Sequence, residues 1–371
     1  MIEYPIRVLC VFSTLDRGGA ESMCMNLYRH IDRSRVQFDF VKHTTKTGAF
    51  EKEILDFGGH IYIAPKMTMN RLIGYMAWWK MHFKNHPEHQ IVHGHYFTAS
   101  AIYFRIAKQY NRVTIGHMHI AKYSTRIKKL ICSRVEHYSD YCLACGWDAG
   151  KLLYPHRHFI VLNNAINAQE FQYNDDVRCK YREQLGLKDD IVIGIVANFG
   201  KHKNPLGVIE LFNQLVKMDP RYKLLWVGAG GELLDKVKAL VDKYNIQKNV
   251  ILLGVRSDVS NLLQTMDAFI LPSFYEGLPV VLIEAQAAGL YCFVSDCVTK
   301  EVDITGRCTF LPLDQWEKWR LSISETNLQH VDTYQQIVDS GYDISYTAAM
   351  IQDMYITIAK NTSWYREKHR Y

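Results

Sequence analysis

Short apolar runs alternate with stretches of helical periodicity from one end of the chain to the other. In the first half, Ile6–Phe12, Val36–Val41, Gln90–Gly94, Val113–His117, Tyr141–Cys145 and Phe159–Leu162 predict strands. Helical spacing lies between them, as at Ala20–Ile31 and Thr98–Gln109. In the second half the predicted strands are Ile191–Ala197, Lys223–Gly228, Val250–Leu253, Ala268–Leu271 and Tyr291–Val294. Helices such as Leu206–Met218 and Glu232–Tyr244 separate them. This alternation predicts α/β architecture with parallel sheets. The polar stretch Asn163 to Leu185 reads as a linker with a short helix. Two domains are expected, residues 1–168 and 185–342, and a chain of 371 residues has room for both. A last helical stretch lies within 343–371.

Open parallel sheets bind ligands beyond the C-terminal ends of their strands, so the segments that follow strands matter most. The richest is Ser273-Phe274-Tyr275-Glu276-Gly277-Leu278-Pro279-Val280-Val281-Leu282-Ile283-Glu284-Ala285. Two carboxylates stand eight positions apart, with a Gly-Leu-Pro turn and a helix start between them. The amides of Gly277, Leu278, Val280 and Val281 lie at that helix start, a ready anion site. Two hydroxyl-accepting carboxylates beside an anion site suit a sugar joined to a nucleotide diphosphate. Taken alone, the same residues also describe a plain capping loop with two surface glutamates.

Glu276 and Glu284 match the paired-glutamate signature of retaining glycosyltransferases, and the surrounding segment resembles glycosyltransferase family 4, above all enzymes of capsular and exopolysaccharide assembly. The resemblance implies a GT-B fold, two Rossmann-like domains facing each other across a cleft, with the helix of 343–371 packing back on the first domain. It implies a nucleotide-sugar donor, more often a UDP-sugar, and retention of the anomeric configuration. The implied acceptor is a glycan carried on a polyprenyl diphosphate. By the same resemblance Glu276 orients the donor sugar and Glu284 accepts from the ribose hydroxyls. Lys203 and the Gly277–Val281 amides stabilise the departing diphosphate, and His119 contacts the sugar from the first domain. Gly18-Gly19-Ala20-Glu21, after the first strand, would lie near the donor phosphates, with Gly19 among the binding residues; it also serves as an ordinary helix entry.

One departure stands out. Similar enzymes carry Arg-x-x-x-x-Lys-Asn after the first strand of the second domain. Here Asn198 takes the place of the Arg, and an Asn cannot supply charge to a diphosphate. Lys201 is the neighbouring cation that could compensate. Leu225–Glu232 is a strand–glycine–helix turn without full G-x-G-x-x-G spacing, which argues against a nicotinamide cofactor. Arg256 either flanks the nucleotide base or pairs with Asp258. His93, His95, His117 and His119 invite a metal, but each pair is spaced i,i+2 with no carboxylate in the pattern of a helix-borne zinc site. No Asp-x-Asp occurs in the chain. The expected cofactor and metal are therefore none, with Lys203 and the helix end in the metal's place.

Composition adds three points. Nine cysteines without a framework imply reduced thiols, and Cys142 and Cys145 read as buried strand residues rather than zinc ligands. The apolar run Pro5–Phe12 is too short for a secretory signal, so a cytoplasmic location is expected. Charge is divided unevenly: residues 1–170 carry a net +9 and the remainder −3. Lys122, Arg126, Lys128, Lys129 and Arg134 form one basic cluster. Arg71, Lys80 and Lys84 accompany Trp78, Trp79 and Phe83 in another stretch. These are either a face for anionic lipid or a solvated helix over core aromatics. No nucleic-acid module is present. Two rival functions remain, a sugar-nucleotide 2-epimerase of the same fold and a non-catalytic nucleotide-sugar-binding subunit.

Overall fold

The computed structural model describes residues 5–95, 97–119 and 134–362. They form two compact units. The described residues up to Ala165 and from Ile344 onward form the first, and residues 166–343 the second.

The first unit holds a seven-stranded parallel sheet. Its strands are β1 (Ile6–Val11), β2 (Val36–Lys42), β3 (Ile61–Ile63), β4 (His89–Gly94), β5 (Val113–Met118), β6 (Tyr141–Ala144) and β7 (Ile160–Val161). They run in the order β3-β2-β1-β4-β5-β6-β7. Nearly every residue of β1, β2 and β4 is buried, because helices cover both faces. The helix Ile344–Lys360 lies on one face and buries Ile344, Ala348, Ile351, Tyr355 and Ile358 in the core beside Val8 and Phe38.

The helix Leu72–Asn85 decides between the two readings of its aromatics. Trp79 and Phe83 are core residues, and the Trp78 ring stacks on His82. Arg71, Ile73, Lys80, Met81 and Lys84 form its exposed side. The Trp79 and Phe83 rings are therefore not available to lipid. Of the other basic cluster, Arg134 is exposed, whereas Lys122, Arg126, Lys128 and Lys129 lie outside the described residues. No helix among the described residues is long and apolar enough to cross a membrane.

The second unit repeats the plan with six parallel strands: β8 (Ile191–Val196), β9 (Tyr222–Val227), β10 (Val250–Gly254), β11 (Ala268–Leu271), β12 (Tyr291–Ser295) and β13 (Cys308–Leu311). Their order is β10-β9-β8-β11-β12-β13. Residues 166–185, expected as a linker, belong to this unit. The helix Asp175–Gln184 is fastened to it by cations: Arg178 and Arg182 both pair with Asp267, and both donate to backbone carbonyls between Gln264 and Met266. Asp267 also accepts the Val192 N–H at 2.7 Å, so one carboxylate joins this helix to the sheet. Edge strands β3 and β13 are the two described strands that periodicity does not predict.

Candidate active site

The second sheet reverses its strand order between β8 and β11, the kind of point where open parallel sheets build ligand sites. The loops leaving these two strands carry Lys203 and Glu276. After β8 the chain makes a 3₁₀ turn, Lys201–Lys203, and then Asn204 adopts the left-handed region at φ 53°. Asparagine tolerates that region better than most residues. Pro205 opens the next helix at its first turn, where its missing N–H costs nothing. The Phe274 N–H donates to the His202 carbonyl at 2.8 Å and ties the second loop to the first. Lys203 Nζ then donates to Glu276 Oε1 at 2.5 Å, and the side chains are 15% and 13% exposed.

A third loop, after β9, supports the first. Gly228 has φ 135°, and a Cβ there would stand 2.1 Å from the Ala197 carbonyl oxygen. Gly231 has φ 104°, and a Cβ there would stand 2.4 Å from the Phe199 carbonyl carbon. The Phe199 N–H donates to the Gly230 carbonyl, and the Leu233 N–H donates to the Phe199 carbonyl. These glycines thus serve backbone packing next to the Lys203 turn.

Glu276 leads through Gly277 and Leu278 to Pro279, which caps the helix Val280–Ala287 rather than opening it. The Leu282 N–H already donates to the Pro279 carbonyl, leaving the Val280 and Val281 amides at the positive end of the helix. Glu284 lies one turn further in, half-buried. Burial pushes its carboxyl up to about 7, and the negative charge of Glu170 adds to the shift. Glu170 escaped the sequence reading because it sits 114 positions before Glu284, in the stretch taken for a linker. Phe274 and Tyr275 are exposed on the same loop as Glu276, and the Tyr275 ring lies 5.5 Å from that of His202.

The remaining donor-side residues are occupied differently. Asn198 is exposed, and its Oδ1 accepts the Gly200 N–H at 3.0 Å, so it shapes the turn. Lys201 is exposed, and its backbone N–H donates to Glu232. Arg256 forms a two-pronged pair with Asp258, at 2.8 and 2.6 Å, which is the second of its two expected roles.

In the first unit, Gly18 caps the helix Gly19–His30. A Cβ on Gly18 would meet the Glu21 carboxylate at 2.3 Å, whereas Gly19 faces open space. The four histidines, expected as separate packing or site residues, come together. β4 and β5 pair Gly94 with Gly116, a register that continues to set His95 beside His117. Ring centroids lie 4.2 Å apart for His93 and His95, 5.2 Å for His95 and His117, and 4.1 Å for His117 and His119. Phe12 stacks on His95 at 4.4 Å. Burial lowers all four pKa values, to about 3 at His93 and His119, so the rings are neutral near pH 7. His93 Nδ1 bonds the Tyr355 hydroxyl at 2.6 Å, and His95 Nδ1 bonds His119 Nε2 at 2.8 Å. The other ring nitrogens, His93 Nε2, His95 Nε2, both of His117 and His119 Nδ1, are buried without a hydrogen-bond partner among the described residues. Each such group costs about 1–3 kcal/mol. Cys142 and Cys145 are buried in the core, and burial pushes the Cys142 thiol up to about 11.

Known proteins resemble this chain throughout. The family described as glycosyl transferases group 1 matches residues 177–305, the stretch that carries Lys203, Glu276 and Glu284. EpsF of Bacillus subtilis (strain 168), itself a glycosyltransferase by assignment only, is 33% identical over 311 residues, 80% of this chain and 81% of that one. The Escherichia coli UDP-Gal:alpha-D-GlcNAc-diphosphoundecaprenol alpha-1,3-galactosyltransferase is 27% identical over 54% of each chain. Among solved structures, Anabaena Alr3699/HepE in complex with UDP and glucose superposes with a TM-score of 0.76 at 15% identity, over 95% of this chain and all of that one. This last likeness speaks for the fold, two Rossmann-like units of the GT-B class. Together with the identity to EpsF over four-fifths of both chains, it leads to one conclusion: the chain belongs to the group 1 glycosyltransferases.

Proposed function

We propose that this protein transfers a hexose from a UDP-sugar to a glycan on a polyprenyl diphosphate, with retention, during exopolysaccharide or capsule assembly. The observation that carries the reading is the Lys203–Glu276 pair at 2.5 Å beside the positive end of the helix Val280–Ala287. A fixed cation and helix amides suit the diphosphate as it leaves. In the presence of donor, Lys203 moves its charge from Glu276 towards the phosphate oxygens, and Glu276 is freed to accept sugar hydroxyls. Glu284 accepts from the ribose. The cation and the amides fill the part a divalent metal plays in other glycosyltransferases, so donor binding needs no metal. No side chain is assigned the part of a covalent nucleophile. The named substrate of the E. coli relative and the UDP bound to HepE support this choice of nucleotide and acceptor. The exposed Arg71, Lys80 and Lys84 of the first unit suit the anionic surface on which such an acceptor sits.

The test is a thermal-shift screen of UDP-, GDP- and ADP-sugars with and without EDTA, followed by transfer to a polyprenyl-diphosphate-linked sugar. One UDP-sugar that stabilises the protein regardless of EDTA, and gives a product with its anomeric configuration kept, is expected. Stabilisation by no UDP-sugar, or an inverted product, would overturn the proposal.

A further inference from the structure

The four-histidine cluster of the first unit has features that packing does not require. His93 and His117 are 1% and 3% exposed, and His93 Nε2, His95 Nε2 and both His117 ring nitrogens have no hydrogen-bond partner among the described residues. One ring nitrogen of each of His93, His95 and His117 falls within a common 4.8 Å envelope. The hydrogen bonds on the far sides of two rings are informative. If His93 Nδ1–H donates to the Tyr355 hydroxyl oxygen and His95 Nδ1–H donates to His119 Nε2, both rings present Nε2 as a lone pair. A hydrogen-bond partner on the outer nitrogen is the usual arrangement for a metal-ligating histidine.

We propose that His93, His95 and His117 form a binding site for a divalent transition metal, Zn²⁺ or a chemical equivalent, oriented by Tyr355 and His119. Three neutral imidazoles with no carboxylate select zinc, cobalt, nickel or copper over magnesium or calcium. Ligand nitrogens of a tetrahedral zinc site stand about 3.3 Å apart, from bonds of about 2.0–2.1 Å. Closing from the 4.8 Å envelope takes side-chain rotation, chiefly of His117, whose ring lies near-parallel to that of His93. The i,i+2 spacing argued against a metal only for ligands on one element; here adjacent strands supply them. Metal binding here does not depend on the proposed transfer reaction.

The experiment uses the full chain stripped with EDTA and titrated with Co²⁺, then with Zn²⁺ in competition. Expected is one equivalent of Co²⁺ with visible d–d absorption, displaced by Zn²⁺, and a higher melting temperature with Zn²⁺. His117→Gln removes a ring with no hydrogen bond of its own and should abolish the band while the metal-free melting temperature holds. Tyr355→Phe should weaken Zn²⁺ binding about tenfold or more through the lost orienting bond. His86→Gln, in the separate group His86, Glu88 and His89, should leave the band intact. No band with Co²⁺ in excess, a band that survives His117→Gln, or a band lost in His86→Gln would each overturn the proposal.

Discussion

Glu284→Gln is the substitution whose effect is most directly calculable. The carboxyl is raised from an ordinary 4.5 to about 7 by burial and by Glu170. Below pH 4.5 both folded and unfolded chains hold the proton, and the group is neutral to stability. Between 4.5 and 7 the unfolded chain has lost its proton while the folded chain keeps it. Stability therefore falls as pH rises through this window, and the full cost is reached above about pH 8. At 1.36 kcal/mol per pKa unit the cost is about 3 kcal/mol. Glutamine keeps the shape and never ionises. The variant should match the wild type near pH 4.5 and exceed it by up to about 3 kcal/mol at pH 8, or roughly 6–12 °C in the melting of a unit this size. Buried neutral histidines impose an opposite slope at lower pH, but it is common to both proteins and cancels in the difference. Calorimetry of the two proteins at pH 5, 6, 7 and 8 is the assay. Parallel melting curves, with the same offset at pH 5 and pH 8, would refute the reasoning. The ribose role proposed for Glu284 makes a second prediction: with about a tenth of Glu284 ionised at pH 6, UDP-sugar affinity should rise about tenfold by pH 8, and lose that dependence in Glu284→Gln.

Other outcomes follow from the same region. Lys203→Ala should lower turnover by about 10²–10³, the scale of a lost electrostatic stabiliser, with the fold retained; kinetics alongside circular dichroism decide, and a rate within tenfold of wild type would remove Lys203 from the chemistry. Gly228→Ala places a Cβ 2.1 Å from the Ala197 oxygen at φ 135°, so a loss of at least about 1–3 kcal/mol is expected in urea unfolding, and an unchanged midpoint would contradict the close packing. Asn198→Arg loses the bond to the Gly200 N–H, worth about 1 kcal/mol, but adds a cation at the expected position. Calorimetric titration should show tighter donor binding despite the lower melting temperature, and an unchanged affinity would show that the departure is immaterial.

The central strands were legible from apolar runs alone, and Ala268–Leu271 is found at its predicted bounds. A strand covered on both faces has little freedom in composition. The missed strands lie at sheet edges. Ile61–Ile63 is three residues long with no fully buried member, and Cys308–Leu311 has only Leu311 buried, so neither carries a strong pattern. Asn163–Leu185 misled because its polarity is that of cations facing Asp267, which composition does not distinguish from cations facing water. Glu276, Lys203 and Glu284 could be picked out by motif. The contact between the first two could not, because it depends on the Phe274–His202 hydrogen bond between loops 72 positions apart. The histidine cluster likewise depends on strand register, and Tyr355 reaches His93 across 262 positions.

The helix Ile344–Lys360 returns to the first unit after the whole of the second has been traversed. On the ribosome, the first sheet must therefore wait. Its core contains Ile351 and Tyr355, which do not exist until every residue of the second unit has been made. The second unit is complete earlier and can fold by itself during synthesis. For an interval the sheet face beside Val8 and Phe38 lacks one of its covering helices, which makes the first unit the one more exposed to misassembly. Premature termination after residue 343 would likewise spare the unit nearer the break in sequence and damage the one that was made first.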